Sequence, residues 1–212
     1  MRYDVFMDKR IILIGGAPAV GKSFAARELS RRIGISSIST DSIRELMRGV
    51  VRAEDYPNLF YFTNPKLTAE NFLTQHTPEE VVRFQNLESF DVWRGVQSLI
   101  STEYTQTDYV EQSFIIEGVA VLPELVSALP KQGLIKSVFL IDENIDRIRE
   151  TIFTRGLWDD ADKYSDDVKE AEVKWVVAFN TYIKEEAFKY NLPVIDIGDR
   201  GFYISEIEKL VE

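Results

Sequence analysis

Short apolar runs alternate along this chain with longer stretches in which apolar positions return every three or four residues. The runs are Ile11–Gly15, Ile35–Ser39, Ser113–Gly118, Lys136–Ile141 and Pro193–Ile197, and each is four to six residues rich in β-branched side chains. Runs of that length and composition predict buried strands. Between them the period changes to that of helices. One helix is predicted from Lys22 to about Ile33, where Gly34 is a natural stop, and another begins at Thr40 or Asp41, either of which is placed to cap it. Thr77-Pro78-Glu79-Glu80 predicts a strong helix start, and Val81, Val82, Phe84, Leu87, Phe90, Trp93, Val96, Leu99 and Ile100 carry an apolar stripe on to about Thr105. Shorter helices are predicted around Thr68–Thr74, over Pro123–Leu129, through Asp142–Gly156 with Ile145, Ile148 and Ile152 as its stripe, and over Ile204–Val211. A long one runs from Asp166 to Tyr190. Strands alternating with helices predict an α/β domain.

Residues 53 to 78 break both periods. Tyr56-Pro57, Asn64-Pro65 and Thr77-Pro78 punctuate the segment, and Leu59-Phe60-Tyr61-Phe62 concentrates aromatics in it. An excursion of that length between sheet elements reads as a substrate-binding insertion. The only histidine, His76, lies here and reads as an incidental loop residue. Arg83 and Arg94, on the long helix that follows, read as solvated.

A length of 212 residues fits one domain, and 45% hydrophobic content suffices for its core. The net charge of −10 disfavours a polynucleotide partner. With no cysteine, disulfides, thiolate metal sites and a cysteine nucleophile are excluded. No apolar run approaches the ~18 residues of a membrane span. The first ten residues lack the apolar region of a secretory signal, so a cytoplasmic protein is the expectation.

Chemistry enters between the first strand and the first helix. Gly16-Ala17-Pro18-Ala19-Val20-Gly21-Lys22-Ser23 matches G-x-x-x-x-G-K-[ST] without a mismatch. Glycines let the backbone N–H groups turn inward around a polyphosphate, and the helix that begins with Lys22, Ser23 and Phe24 adds its positive end. In this pattern Lys22 reaches the β- and γ-phosphates and the Ser23 hydroxyl is a ligand for Mg²⁺.

Asp41 and Arg44 lie just past the second strand, three residues apart on one side of a first helical turn. Beside a phosphate loop, a carboxylate there is placed to take a proton from an attacking hydroxyl, and an arginine to hold an anionic acceptor. The third strand ends in Glu117-Gly118, where a second acid near Mg²⁺ or its water ligand is expected. Arg147, Arg149 and Arg155 follow the fourth strand. Arginines there suit a lid over a transferring phosphoryl group, as they equally suit a salt-bridged face with Glu143, Asp146 and Glu150.

The run Ile11–Arg48 and the run IIEGVAVLPEL at Ile115–Leu125 resemble the small P-loop kinases, most closely the 2-phosphoglycerate kinase group. The long C-terminal helix followed by LPVID is similar as well. The resemblance implies a P-loop NTPase three-layer sandwich, nucleoside- or shikimate-kinase-like. Its five-stranded parallel sheet would have the phosphate-loop strand at the centre, with a helical acceptor-side insertion over 53–112 and a lid over 142–163 in one domain. It implies ATP and Mg²⁺ as cofactors and a small, anionic phosphoryl acceptor such as 2-phosphoglycerate. Carried onto this chain, Gly16 to Phe24 hold the nucleotide, Asp41 is the base, Arg44 anchors the acceptor, and Glu117 with Gly118 faces both acceptor and metal. Arg147 and Arg155 close over the γ-phosphate, and the adenine lies near Gly198–Arg200. The chain departs from the pattern at Ala19, where many relatives have Gly, and at Phe24, which replaces a Thr and reads as a packing change. The Asp-x-x-Arg pattern is shared with polynucleotide kinases, so a polynucleotide 5′-kinase, an ATPase switch without an acceptor and a non-catalytic nucleotide-binding module stay open.

Overall fold

A computed structural model describes residues 10–64, 67–105, 113–129, 134–156, 160–198 and 202–211. Five parallel strands form one sheet in the order β2-β3-β1-β4-β5: β1 Ile11–Gly16, β2 Ser36–Ser39, β3 Phe114–Glu117, β4 Ile135–Ile141 and β5 Val194–Asp196. The phosphate-loop strand is central, as the resemblance implied. All six of its residues are buried, because parallel crossovers put helices on both faces of the sheet.

The helices are α1 Lys22–Ile33, α2 Thr40–Val50, α3 Ala69–Gln75, α4 Pro78–Thr105, α5 Pro123–Ser127, α6 Ile145–Thr154, α7 Asp166–Lys189 and α8 Tyr203–Val211. α1 and α8 touch each other and cover β1 to β5 between them. α7 packs on β1, β4 and β5, and α4 lies against α7 and α2. Gly34 ends α1 in the left-handed conformation at φ 71°. Thr77 and Glu80 form a capping box at the start of α4: the Thr77 N–H donates to Glu80 Oε2 at 2.9 Å and the Glu80 N–H to Thr77 Oγ1 at 3.3 Å.

The start of α2 differs from expectation by one residue. Its cap is Ser39, whose hydroxyl accepts from the Ser42 N–H, and Thr40 is the first helical residue and fully buried. Asp41 is therefore not occupied in capping. Thr40 instead packs against Gly118, at φ +147°, where an added Cβ would stand 1.8 Å from the Thr40 hydroxyl oxygen. Only glycine lets β3 and α2 approach this closely. Gly16 is held the same way, at φ +139° with the Leu140 carbonyl oxygen 2.2 Å from where a Cβ would be.

His76 lies in the bend that follows α3, as expected, and is packed there. Its ring sits 4.7 Å from that of Phe72 and 5.2 Å from that of Phe84, and its Nδ1 is 2.8 Å from the Phe72 carbonyl. Tyr61, Phe62 and Phe72 of the excursion form one cluster with His76 and Phe84, with Tyr61 stacked on Phe84 and Phe62 edge-on to Phe72.

α7 buries an acid. Glu172 is 1% exposed, and neither carboxylate oxygen has a hydrogen-bond partner. Burial, with Asp160 nearby, pushes its carboxyl up to about 7. Between the unfolded value near 4.5 and 7 the folded chain holds a proton the unfolded chain has released, so stability falls as pH rises through that window. Glu172→Gln is expected to match wild type in denaturant midpoint only below about pH 4 and to exceed it at pH 8, by roughly 3 kcal/mol if the full shift is relieved. Equal pH dependence in the two proteins would contradict a proton held at Glu172.

Candidate active site

Glu117 is in register with Ile14 of β1 and Ser39 of β2. The phosphate loop, the end of β3 and the start of α2 therefore meet at the carboxyl edge of the sheet, where open α/β sheets bind ligands. Within the loop, Gly16, Ala19 and Gly21 all have positive φ. Ala19 stands at φ 63°, a conformation that costs an L-residue about 1–2 kcal/mol. Ala19→Gly is expected to raise stability by about 0.5–1 kcal/mol after the greater chain entropy of glycine is subtracted. A chemical denaturation curve measures this, and a loss of stability would contradict it. Tyr203, the first residue of α8, sets its hydroxyl against Gly21.

Lys22 is buried, and its ammonium donates to the Ala17 carbonyl at 2.6 Å. Burial lowers it to about 8, a fall that the nearby Glu117 and Asp41 carboxylates partly offset. Glu117 is 7% exposed; burial raises its carboxyl, while Lys22 and a hydrogen bond from Ser23 act the other way. Lys22, Ser23, Glu117 and Asp41 are thus brought together from three separate segments. Phe24, next to Ser23 on α1, is 52% exposed, so its replacement of a threonine is not a packing change.

The donor set fits Mg²⁺. A serine hydroxyl and a carboxylate in contact are hard oxygen ligands, and Mg²⁺ in phosphoryl-transfer sites takes only one or two protein ligands besides phosphates and water. Among the described residues no group of three or more His, Asp or Glu forms a cage of its own.

Arg44 faces Asp41 as the spacing predicts, with Nη1 3.0 Å from Oδ1. It is also one member of a larger network. Its Nε donates to Glu45 Oε1 at 3.1 Å, and its Nη1 lies 3.6 Å from Glu88 Oε2. Arg48 bonds the same two acids, Glu45 at 2.8 Å and Glu88 at 2.7 Å, and its Nε donates to the Leu59 carbonyl at 2.8 Å. Glu88 is 3% exposed on α4; burial raises its carboxyl while Arg44 and Arg48 act to lower it. Arg48 and Glu88 were not anticipated. The available signal was an acid at the spacing of Val81, Gln85 and Val92, on the face of α4 that turns inward.

The arginines after β4 divide. Arg147 forms a two-pronged pair with Asp142, Nε to Oδ2 at 2.7 Å and Nη2 to Oδ1 at 2.5 Å, and its Nη1 donates to the Gly198 carbonyl at 3.0 Å. Asp142 is buried at the end of β4 and raises Arg147 through that hydrogen bond. The guanidinium expected over the γ-phosphate is engaged here in tying the β4 and β5 ends together. Arg149 pairs with Glu170. Arg155 is exposed at the end of α6. Residues 157–159 of the expected lid, and Asp199 and Arg200 of the expected adenine contact, lie outside the described residues. Arg83 and Arg94 are exposed, as expected, and each lies over a ring, Phe84 at 5.4 Å and Tyr56 at 4.6 Å.

No family model matches the chain. It is similar to the curated 2-phosphoglycerate kinase of Methanothermobacter thermautotrophicus, 31% identical over 209 residues that cover 94% of this chain and 64% of the relative. The 2-phosphoglycerate kinase of Pyrococcus horikoshii is 30% identical over 201 residues, 93% of this chain and 62% of its own length. The chain thus spans a little under two thirds of these curated relatives. Among solved structures, a shikimate kinase from Acinetobacter baumannii in complex with shikimate has a TM-score of 0.55 at 12% identity, covering 97% of this chain and 94% of that one. Sheet order, phosphate loop and the likeness to the shikimate kinase define a P-loop NTPase fold. The curated sequence relatives it is similar to are named 2-phosphoglycerate kinases.

Proposed function

We propose that this domain transfers the γ-phosphoryl group of ATP to a hydroxyl of a small anionic acceptor. The observation that carries the proposal is the meeting of buried Lys22, the Ser23–Glu117 hydrogen bond and the Asp41–Arg44 pair at the carboxyl edge of the sheet. The names of the curated relatives make 2-phosphoglycerate the first acceptor to test.

The roles follow from the groups. Gly16 to Gly21 turn N–H groups around the β-phosphate, and Lys22 spans the β- and γ-phosphates, its ammonium exchanging the Ala17 carbonyl for phosphate oxygens. Ser23 and Glu117 would hold Mg²⁺, which when bound neutralises charge on the β- and γ-oxygens. Asp41 accepts the proton of the acceptor hydroxyl as that oxygen attacks phosphorus in line and ADP departs. Arg44, turned toward Asp41, binds an acceptor anion and so fixes the hydroxyl beside the base. Arg147 acts by positioning: with Asp142 it fixes the Gly198 turn, on the side assigned to the adenine. Arg155, exposed at the end of α6, is the residue that the resemblance carries over the γ-phosphate. The 53–112 insertion supplies the acceptor side.

ADP release from Mg-ATP, measured against a panel of hydroxy acids, sugars and nucleosides, tests the reading. Stimulation by an anionic hydroxy compound is expected. Turnover indifferent to every acceptor would contradict it.

A further inference from the structure

Arg44 joins Asp41 to a cavity. Its Nη1 lies 3.0 Å from Asp41 Oδ1 and 3.6 Å from Glu88 Oε2. With Arg48, Gln85, Glu88 and Trp175 it lines a space of about 300 Å³ between α2, α3, α4 and α7. We infer that this cavity seats a phosphate ester group of the phosphoryl acceptor, bound by Arg44, Arg48 and the Trp175 indole N–H. The inference rests on the phosphotransferase reading. It gives the acceptor anion of that reading a place, a chemistry and two further ligating residues.

An orphan donor, an open guanidinium edge and the local charge support it. Trp175, on α7, is 5% exposed, and its indole N–H, which can only donate, has no acceptor among the described residues. Glu88, the acid on the same wall, does not serve it: Oε1 accepts from Arg48 Nη2 at 2.7 Å and Oε2 from Gln85 Nε2 at 3.2 Å. A buried donor left unpaired is costly, and a ligand oxygen relieves that cost. Arg44 meets the described residues through Nε and Nη1, and its Nη2 takes part in none of those contacts. The chain carries a net charge of −10, yet the ionisable groups lining this cavity are two guanidiniums and one carboxylate. Asp41 and Glu45 also touch these arginines, but they do not line the cavity, and their side chains are 63% and 59% exposed, so water screens them. Donors supplied by two helices suit a tetrahedral group with three oxygens better than a planar carboxylate with two. The remaining wall, around Phe62, Phe72 and Leu73, brings no competing charge and lowers the local dielectric, which strengthens each guanidinium–oxyanion contact.

The test compares kcat/KM for 2-phosphoglycerate and glycerate under saturating Mg-ATP in the wild-type chain, Trp175→Phe and Arg48→Lys. The two acceptors differ only in the phosphate. Wild type is expected to prefer 2-phosphoglycerate by at least about tenfold. Each variant should shrink that preference about tenfold, in KM rather than kcat, the scale of one hydrogen bond to a charged group. A variant that has merely lost packing lowers both acceptors alike and leaves the ratio unchanged. An unchanged ratio in either folded variant, or a wild type that uses glycerate as well, overturns the seat while the phosphotransferase reading stands. Should one variant fail to fold, by its melting curve, the other decides. If neither acceptor is turned over, calorimetric titration of 2-phosphoglycerate into protein saturated with Mg-ADP decides alone, the nucleotide keeping the ligand off the phosphate loop. Binding to wild type that is about tenfold weaker in each variant upholds the cavity as a phosphate ester site. No binding, or binding of equal strength in either variant, overturns it.

Discussion

Asp41→Asn is expected to lower acceptor phosphorylation by about 10²–10⁴-fold while ATP affinity changes by about twofold or less. The amide keeps the size of the side chain and its place on the first turn of α2. It loses the ability to take the acceptor proton, and it loses the charge that orients Arg44 across 3.0 Å. Because Ser39 caps α2, the helix itself does not depend on Asp41. The loss therefore belongs in kcat, and thermal melting of the variant should stay near that of wild type. A variant with unchanged kcat would show that Asp41 only pairs with Arg44.

Lys22→Met is expected to lower phosphoryl transfer by about 10²–10³-fold or more, the scale on which a preorganised charge at the reacting centre acts. The pH dependence of ATP binding isolates this role. In the free protein burial brings Lys22 down to about 8. Bound phosphates favour the charged form and raise it again, so binding takes up a proton above pH 8. Wild-type Kd for ATP should rise up to about tenfold per pH unit there, and Lys22→Met should bind weakly with no such rise. Folding responds in the opposite sense. Between 8 and the unfolded value of 10.5 the unfolded chain holds the extra proton, so the penalty for burying the charged lysine is present below about pH 8 and fades as pH rises. Parallel pH profiles for the two proteins would remove Lys22 from the phosphates.

What the chain discloses in advance is what depends on neighbours in sequence. The phosphate loop is contiguous, its glycines are demanded by backbone geometry, and β1 on one side and α1 on the other are unambiguous in period. α4 is announced by Thr77-Pro78-Glu79-Glu80 and begins at Pro78. The pairings that shape the site are of another kind. Glu88 meets Arg48 across 40 residues, and the Arg147 guanidinium reaches the Gly198 carbonyl across 51. No local pattern distinguishes Arg147, engaged by a buried acid, from the exposed Arg155 on the same helix. The cap of α2 shows the limit at single-residue scale: Ser39, Thr40, Asp41 and Ser42 are all good caps, and burial of Thr40 beneath Gly118 selects the first. Phe24 reads as a packing change from its type, yet it is exposed on the first turn of α1.

The measurement closest to the central claim follows the fate of the γ-phosphate. The protein is incubated with Mg²⁺ and γ-labelled ATP, with and without a hydroxy-acid acceptor, and the label is partitioned between inorganic phosphate and phosphate ester. The expected result is label in an ester of the acceptor, formed in equal amount with ADP and lost in Asp41→Asn. Label found only as inorganic phosphate, at a rate indifferent to acceptor and to Asp41→Asn, would contradict phosphoryl transfer and leave an ATPase in its place.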